Sequence, residues 1–452
     1  MEDKCDVLIV GGGFAGAGLA WFLSRMNGLR IVLIDSKEKG KMGDKPCGDA
    51  VGKEHFDKLG LPVPVGKALE HLVEGIKIYS PDKETAWIVK GEGYELDPPS
   101  YVDLLLSDAV KKGVEVMEKT TFVKPLLEGN KIIGGTIYDR KNNKSINLHS
   151  KVIVDASGNA AAVRSKLPRE LPVTEEIDDL DTNIAYREVV ITESEIEEPG
   201  ILEIYLNQRT SPGGYWWMFP KGKNKANIGL GVQGGKGYPP PKYFYEKYFS
   251  EVLPNLKVNE VLVRGGALVA TRRPLTTMAW NNFIAIGDAA YTVNPVHGGG
   301  KGSSLISAYC ASKALEEAIS RSSFNAEDLW SINECYISRY GAKQASLDFF
   351  RLFLQGLSDQ DINYGMKRGL IKEEDLLEIS LTGDLKLSIA EKAIRLLSGL
   401  GRPSLLVKLK TVADYMKRLK QLYSEYPKKP EGLEVWRARV EELYKEYKKS
   451  LL

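Results

Sequence analysis

The sequence predicts an α/β protein in three parts: a Rossmann dinucleotide domain, a second domain built on an antiparallel sheet, and a C-terminal helical region. Three observations carry this. A strand, a glycine-rich turn, a helix, a second strand and an acidic residue follow one another at the start of the chain. Residues 181–264 alternate apolar and polar around turn residues. Beyond residue 311, apolar residues recur at three- and four-residue steps.

Val7 to Val10 is a short continuous apolar run, the pattern of a strand buried on both faces. Gly11, Gly13 and Gly16 then give GxGxxG. The first permits the tight turn, the second lets backbone approach a pyrophosphate, and the third lets the helix pack close to the strand. Phe14 and Ala15 stand inside this turn, and the helix is expected over Ala15 to Met26. Ile31 to Ile34 is the second strand. Asp35 closes it, followed by Ser36, and an acid here binds a ribose 2′-hydroxyl. That favours an adenosine without a 2′-phosphate, so FAD or NAD rather than NADP.

Two later segments select FAD. "KVIVDASGNAAAVR" is an apolar strand ending at Asp155, Ala156, Ser157 and Gly158. "NNFIAIGDAAYTVNPVHGGGKGSSLISA" is a strand ending at Gly287 and Asp288, then a glycine-rich turn through Gly299, Gly300, Lys301 and Gly302 into a helix. A carboxylate after a strand suits ribityl hydroxyls, and backbone N–H groups at a helix start hold a flavin edge or a phosphate.

The FAD domain is expected to be discontinuous, over 1–75, 98–175 and 265–320. "IKIYSPDKETAWIVKGEGYEL" reads as an antiparallel hairpin around a Pro-Asp turn. With 176–264 it forms the second domain, over 76–97 and 176–264, an antiparallel sheet lying over the flavin. "PSYVDLLLSDAVKKGVEVMEK" reads as a helix feeding the third parallel strand. The region 321–452 is helical, and its tail "VWRARVEELYKEYKKSLL" is amphipathic and basic. Such a helix either touches an anionic membrane surface or covers the core with a solvated charged face.

Composition narrows the function classes. Hydrophobic content of 43% and charged content of 27% over 452 residues suit an ordinary globular chain, and a net charge of +2 gives no field for nucleic acid. No run of 18 apolar residues exists to span a bilayer. A cytoplasmic monomer, with peripheral contact at the inner face of the membrane at most, is the expectation. Abundant Lys and Glu with sparse Gln lean toward a thermophile. The four cysteines, Cys5, Cys47, Cys310 and Cys335, show no metal-ligand spacing, so no metal is expected. Cys310 and Cys335 lie on helix-like segments, and spacing alone leaves their pairing open.

The three FAD motifs, in this order, resemble the glutathione-reductase-type fold of the p-hydroxybenzoate hydroxylase superfamily. Within it, "PCGD" at 46–49, "YWWMFPKG" at 215–222 and "GDAA…NPVHGGG" are similar to the geranylgeranyl reductase family. The resemblance covers roughly residues 1–310 and implies an archaeal flavoprotein that saturates geranylgeranyl chains of lipids with reduced FAD. Two departures stand out. "ELDPPSYVD" lacks the arginine that superfamily members often carry after the strand-ending acid, and Ala161 or Ala162 stands where a serine is frequent, though Arg164 keeps its place.

An isolated alkene needs a proton at one end as hydride reaches the other. Cys47, His55, Tyr215 and His297 are the candidate proton donors, with reduced flavin itself or a bound water as alternatives, and His297 is also a candidate neighbour of flavin or substrate. Pro46, Cys47 and Gly48 are expected to hug the flavin ring. On a strand, Tyr215, Trp217 and Phe219 share one face. With Pro220 they would form an apolar wall along an extended substrate chain. The competing expectations are a monooxygenase of the same superfamily and a non-catalytic flavin or lipid carrier. No second GxGxxG marks an NAD(P)H site, so NAD(P)H, a ferredoxin and a small reductant all remain as electron donors.

Overall fold

The computed structural model describes residues 4–129, 131–385 and 402–450. Two eight-stranded sheets organise it. The first runs Ala279–Trp280, Phe283–Ala285, Lys144–Asp155, Lys4–Val10, Ile31–Ile34 and Glu115–Met117, with parallel pairing from Phe283–Ala285 through to Glu115–Met117. Val7, Leu8 and Ile9 are fully buried, as the unbroken apolar run requires. The helix Phe14–Leu23 packs against the helix Lys301–Arg321 on this sheet. A hairpin, Thr120–Glu128 with Lys131–Asp139, extends the sheet in the antiparallel sense.

The register decides where a ligand can sit. Val10 lies beside both Ile34 and Asp155, and Asp155 beside Ala285. The carboxyl ends of four strands are therefore level, and the turns beginning at Gly11, Asp35, Ala156 and Ile286 open at one edge. In open α/β sheets ligands bind at that edge.

The second sheet runs Val258–Ala270, Thr182–Thr192, Lys225–Gln233, Trp216–Pro220, Ile201–Tyr205, Leu69–Tyr79, Ala86–Leu96 and Ala50–Gly52. Its pairing is antiparallel as expected, with one exception. Ile201–Tyr205 and Leu69–Tyr79 are parallel, because the hairpin Leu69–Leu96 arrives from the other domain and adds to the sheet's free edge. Three strand segments come from stretches assigned above to the FAD domain. Residues 69–75 begin the strand Leu69–Tyr79. Ala50–Gly52 pairs with Gly93–Glu95, and residues 265–270 complete the strand that pairs with Thr182–Thr192.

The helices Ser331–Tyr336, Ala342–Gln355, Asp359–Lys367, Glu373–Thr382, Pro403–Ser424 and Leu433–Ser450 make the C-terminal region, and residues 386–401 and 451–452 of that expectation lie outside the described residues. The tail helix turns Trp436, Val440, Leu443, Tyr444 and Tyr447 into the core, and the Tyr444 hydroxyl donates to Asp348 Oδ2 at 2.6 Å. Asp348 is fully buried and also accepts from Arg351, which reaches Asp181 of the second domain at 2.7 Å. The apolar face of the tail helix is thus committed to the core. Among the described residues no helix is long and apolar enough to cross a membrane.

Cys310 and Cys335, whose pairing the sequence leaves open, form a disulfide that ties the helix Lys301–Arg321 to Ser331–Tyr336. Closing a 25-residue separation restricts the unfolded chain. Cys310→Ser or full reduction is expected to lower unfolding free energy by about 2–4 kcal/mol. Denaturant titration with and without reductant measures this, with Cys310→Ser as the reductant-insensitive control.

Candidate active site

The glycine turn fits a dinucleotide on three counts. Gly11 has φ +105°, and a Cβ there would stand 2.4 Å from the Ala156 carbonyl oxygen. A Cβ at Gly16 would stand 1.8 Å from the Gly11 carbonyl oxygen, whereas Gly13 faces open space. The helix Phe14–Leu23 has neither a side-chain cap nor an acid in its first turn, so its N–H groups remain for a phosphate. Asp35 Oδ2 accepts from Gly12 N at 2.6 Å and Oδ1 from Lys37 N at 2.7 Å. The carboxylate shapes the turn as well as closing the strand. Beyond it lies a cavity of about 370 Å³ bordered by Met42, Val102, Leu106, Val116 and Met117. These apolar side chains suit one face of an adenine ring, and Lys39, Asp103, Glu118, Asp139 and Lys141 give the same cavity a charged part.

The other two motifs divide in role. Asp155 is fully buried, and its oxygens accept from Ser157 N and Oγ, Val163 N and Arg164 N at 2.6–3.1 Å. Its side chain therefore holds the turn, and only backbone of Ala156 and Gly158 is left to face a ligand. Asp288 stays partly open and meets Lys45 Nζ at 2.5 Å. Gly287 has φ +62°, and a Cβ there would lie 2.8 Å from Ala15 Cβ, so this turn abuts the first helix. The helix Lys301–Arg321 begins at Gly300, again without a side-chain cap or an acid in its first turn. Two uncapped helix starts, an open Gly13 and a cavity that is apolar on one side together fit FAD.

The loop KPCGD is clamped between the domains. Asn227 Nδ2 donates to the Cys47 carbonyl at 2.7 Å and to Asp49 Oδ2 at 3.1 Å, and Trp217 Nε1 donates to Asn227 Oδ1 at 3.1 Å. A Cβ on Gly48 would stand 2.7 Å from the Phe219 ring. Rings of Tyr215, Trp217 and Phe219 follow one another at 6.3 Å steps on this face, while Trp216 and Met218 pack into a separate cluster on the opposite face. The alternation read from the sequence is the observed one. Pro220 ends that strand, buried.

The Cys47 sulfur receives Lys301 Nζ at 2.9 Å, and the same ammonium reaches Asp49 Oδ1 at 3.1 Å. Lys221 Nζ lies 3.2 Å from Asp49 Oδ2, 3.3 Å from Glu95 Oε1 and 3.2 Å from Glu70 Oε2, and it donates to the Leu96 carbonyl at 2.8 Å. Burial alone would push the Asp49 carboxyl up; the charges of Lys301, Lys221 and Arg187 outweigh it and hold it below its usual range. Burial pushes Glu95 well above that range despite Lys221, with the Asp49 charge adding to the effect. Lys301 is held above the usual lysine range, because the Cys47 sulfur and Asp49 outweigh its burial. Arg187 is buried, with Nε and Nη1 unpaired to protein.

The remaining candidates are placed less directly. Tyr215 donates its hydroxyl to the His297 carbonyl at 2.6 Å, and burial followed by the Cys47 charge raises its pKa, so its proton is held back. His297 is exposed and its Nδ1 accepts from Gly299 N at 3.1 Å. His55 packs on the start of the helix Lys301–Arg321, where a Gly302 Cβ would meet its ring at 2.3 Å. Burial pulls His55 down to about 4, so it is neutral near pH 7. Sequence reasoning missed Asp49, Lys221, Asn227, Glu95 and Arg187. Asp49, Lys221 and Glu95 stood inside quoted segments; Asn227 and Arg187 gave no local signal.

Fold and site define a flavin-dependent oxidoreductase of the two-sheet, FAD-binding class. Comparison with known proteins narrows this. A geranylgeranyl reductase catalytic domain profile matches residues 181–269 and an NAD(P)-binding Rossmann-like profile residues 9–43. The chain is 56% identical over 450 residues to the digeranylgeranylglycerophospholipid reductase of Sulfolobus acidocaldarius, covering 100% of this chain and 99% of that protein. The Methanosarcina acetivorans protein of that name is 30% identical over 74% of this chain and 80% of its own. A geranylgeranyl bacteriochlorophyll reductase-like structure from Thermoplasma acidophilum shares the fold with TM-score 0.74 at 22% identity, over 90% of this chain and 99% of that one. The chain belongs to the digeranylgeranylglycerophospholipid reductase family.

Two outcomes check the site. Asp35→Ala and Asp288→Ala are each expected to weaken FAD retention at least about tenfold, equivalent to about 1.4 kcal/mol. Flavin absorbance after gel filtration reads this. Lys221→Met leaves Asp49 and its carboxyl neighbours without their shared ammonium, and is expected to cost about 3–5 kcal/mol of stability in denaturant titration.

Proposed function

We propose that this protein is a flavin-dependent reductase that saturates carbon–carbon double bonds of geranylgeranyl chains in archaeal membrane lipids. The observation that carries the reading is the placement of Cys47. Its backbone is fixed by Asn227, its sulfur takes Lys301, and its loop lies on the Tyr215–Trp217–Phe219 face.

FAD, when bound and reduced, supplies hydride. The chain's own residues must supply the rest. An alkene gives no anionic handle, so the substrate is held by apolar surface, and buried Trp217 and Phe219 offer that. Positive charge builds at the tertiary carbon as the proton arrives, and the π faces of these rings attract cationic charge. The Cys47 thiol is the proton donor. Lys301 orients the sulfur and stabilises the thiolate left behind. Tyr215 ties the wall to the flavin turn through His297. Water exclusion by this packed face prevents loss of the proton and hydride to side reactions.

The test is anaerobic turnover of a digeranylgeranylglyceryl phospholipid with chemically reduced enzyme, followed by product mass. Each reduced double bond adds one hydrogen pair. An oxygenated product, or no mass gain, would reject the reading. Cys47→Ser is expected to keep its flavin, because Asn227 grips the carbonyl and not the thiol. Its turnover should fall by about a hundredfold or more, as loss of a general acid does.

A further inference from the structure

We infer that Arg187 sets the charge state of reduced FAD: its guanidinium takes the pyrimidine edge of the flavin and offsets the negative charge that reduction leaves there. Arginine stays charged at any ordinary pH, and a buried charge without a partner is costly. Arg187 is 6% exposed, yet its Nε and Nη1 have no hydrogen-bond partner. The neighbouring carboxylate does not take them. Asp49 gives Oδ1 to Lys301 and Oδ2 to Lys221 and Asn227, all at 3.1–3.2 Å. An orphan buried donor in a native fold calls for a reason, such as a ligand or a redox role.

The sheet register places that group. Trp217 lies beside Gly229, Gly229 beside Arg187, and Arg187 beside Gly265. The four make one row on the face that carries Tyr215, Trp217 and Phe219. Glycine clears both flanks of the arginine. A Cβ on Gly229 would stand 2.4 Å from the Trp217 ring and 2.8 Å from Arg187 Cβ, and one on Gly265 would stand 2.9 Å from Pro46. Arg187 therefore stands between the aromatic wall and the KPCGD loop. That loop meets the helix Lys301–Arg321 through Cys47 and Asp49, next to the uncapped start at Gly300. With the phosphates at the Phe14 helix start and adenine in the cavity beyond Asp35, the flavin ring is left to this junction. Its pyrimidine carbonyl oxygens accept a guanidinium's donors, all the more strongly once they carry charge. A phosphate fits less well, since it needs several donors and Lys301 and Lys221 are already held by Asp49. Reduction brings two electrons from the external donor and one proton to N5. The charge left along N1 and the C2 carbonyl is what Arg187 offsets. The ionisable groups on this face are Lys45, Cys47 and Asp49 of the loop, Tyr215 and Lys221 flanking the aromatic strand, and Lys301 of the helix. Each of the three lysines already pairs with an acid. Glu188 and Arg264 lie with Tyr186 on the opposite face.

The potential of the bound flavin tests this, read by equilibrating the holoenzyme with a reference dye during anaerobic reduction by dithionite. Arg187→Met is expected to hold oxidised FAD about as well as the wild type and to favour reduced FAD at least about tenfold less, as loss of a hydrogen bond to a charged group requires. That ratio lowers the two-electron potential by about 30 mV for each tenfold. The near-ultraviolet spectrum of the reduced flavin at mildly acidic pH adds a signature. It should be that of the N1 anion in the wild type, move toward the neutral form in Arg187→Met, and return toward the anion in Arg187→Lys. Weaker FAD retention with an unchanged potential marks a structural arginine and overturns the inference. An unchanged potential with a raised KM for the lipid gives Arg187 to the lipid phosphate and overturns it too. Should Arg187→Met fail to fold, the wild type still decides, since a neutral reduced flavin there overturns the inference. No lipid enters the flavin measurements, so they stand apart from the substrate proposed above.

Discussion

The Asp49 carboxylate is the constraint on which the site depends. It is buried, its φ is +70°, and it lies between Lys301 of the flavin-side helix and Lys221 at the end of the aromatic strand. A left-handed conformation at a non-glycine residue costs about 1–3 kcal/mol and persists only where the surroundings over-determine it. Here they do. Two ammonium groups and the Asn227 amide fix both oxygens, and the backbone conformation that results turns Gly48 onto Phe219 and Cys47 toward Lys301. One carboxylate therefore joins the two sheets and sets the position of the sulfur.

Level strand ends provide the complementary constraint. The dinucleotide turn, the Asp35 turn, the Ala156 turn and the Gly287 turn open together because parallel pairing fixes their register. Close contacts at Gly11, Gly16 and Gly287 then leave no room for side chains between these turns. The cofactor edge is thus rigid before anything binds. The second sheet need only bring its aromatic face down on that edge, and the Asp49 ion pairs fix how far.

How much of this could be read from the chain alone follows from sequence distance. The Rossmann turn was legible because its glycines, helix and acid lie within one short segment, and each residue's need is local. The aromatic wall was legible because strand alternation assigns faces without knowledge of the partner. The ion cluster was not, since Lys221 and Lys301 reach Asp49 across 172 and 252 residues. Nothing in "KPCGD" says which distant amines will neutralise its acid. The disulfide stayed open for the same reason, as two helical cysteines are compatible with bonding only once the helices are known to be neighbours. Asp155 misled in the opposite direction. Its motif position suggested a cofactor ligand, but four donors from its own turn occupy its oxygens.

The choice of charge at the domain junction calls for a reason. Well-packed apolar residues often stabilise as much as a buried ion pair, and burying several charges together costs solvation that the pairs must offset. An apolar plug would still hold Gly48 against Phe219. It could not hold a left-handed Asp49, whose conformation needs partners for both oxygens, nor set an ammonium against the Cys47 sulfur. It would also make the pocket indifferent to charge, whereas protonating an alkene creates positive charge on the substrate and leaves negative charge on the donor. A cluster already supplied with both signs meets that separation without reorganising, which is the condition for electrostatic help in a site that excludes water. The junction is polar because its chemistry separates charge, and the rare cysteine sits at the one point where the separated charge has a partner waiting.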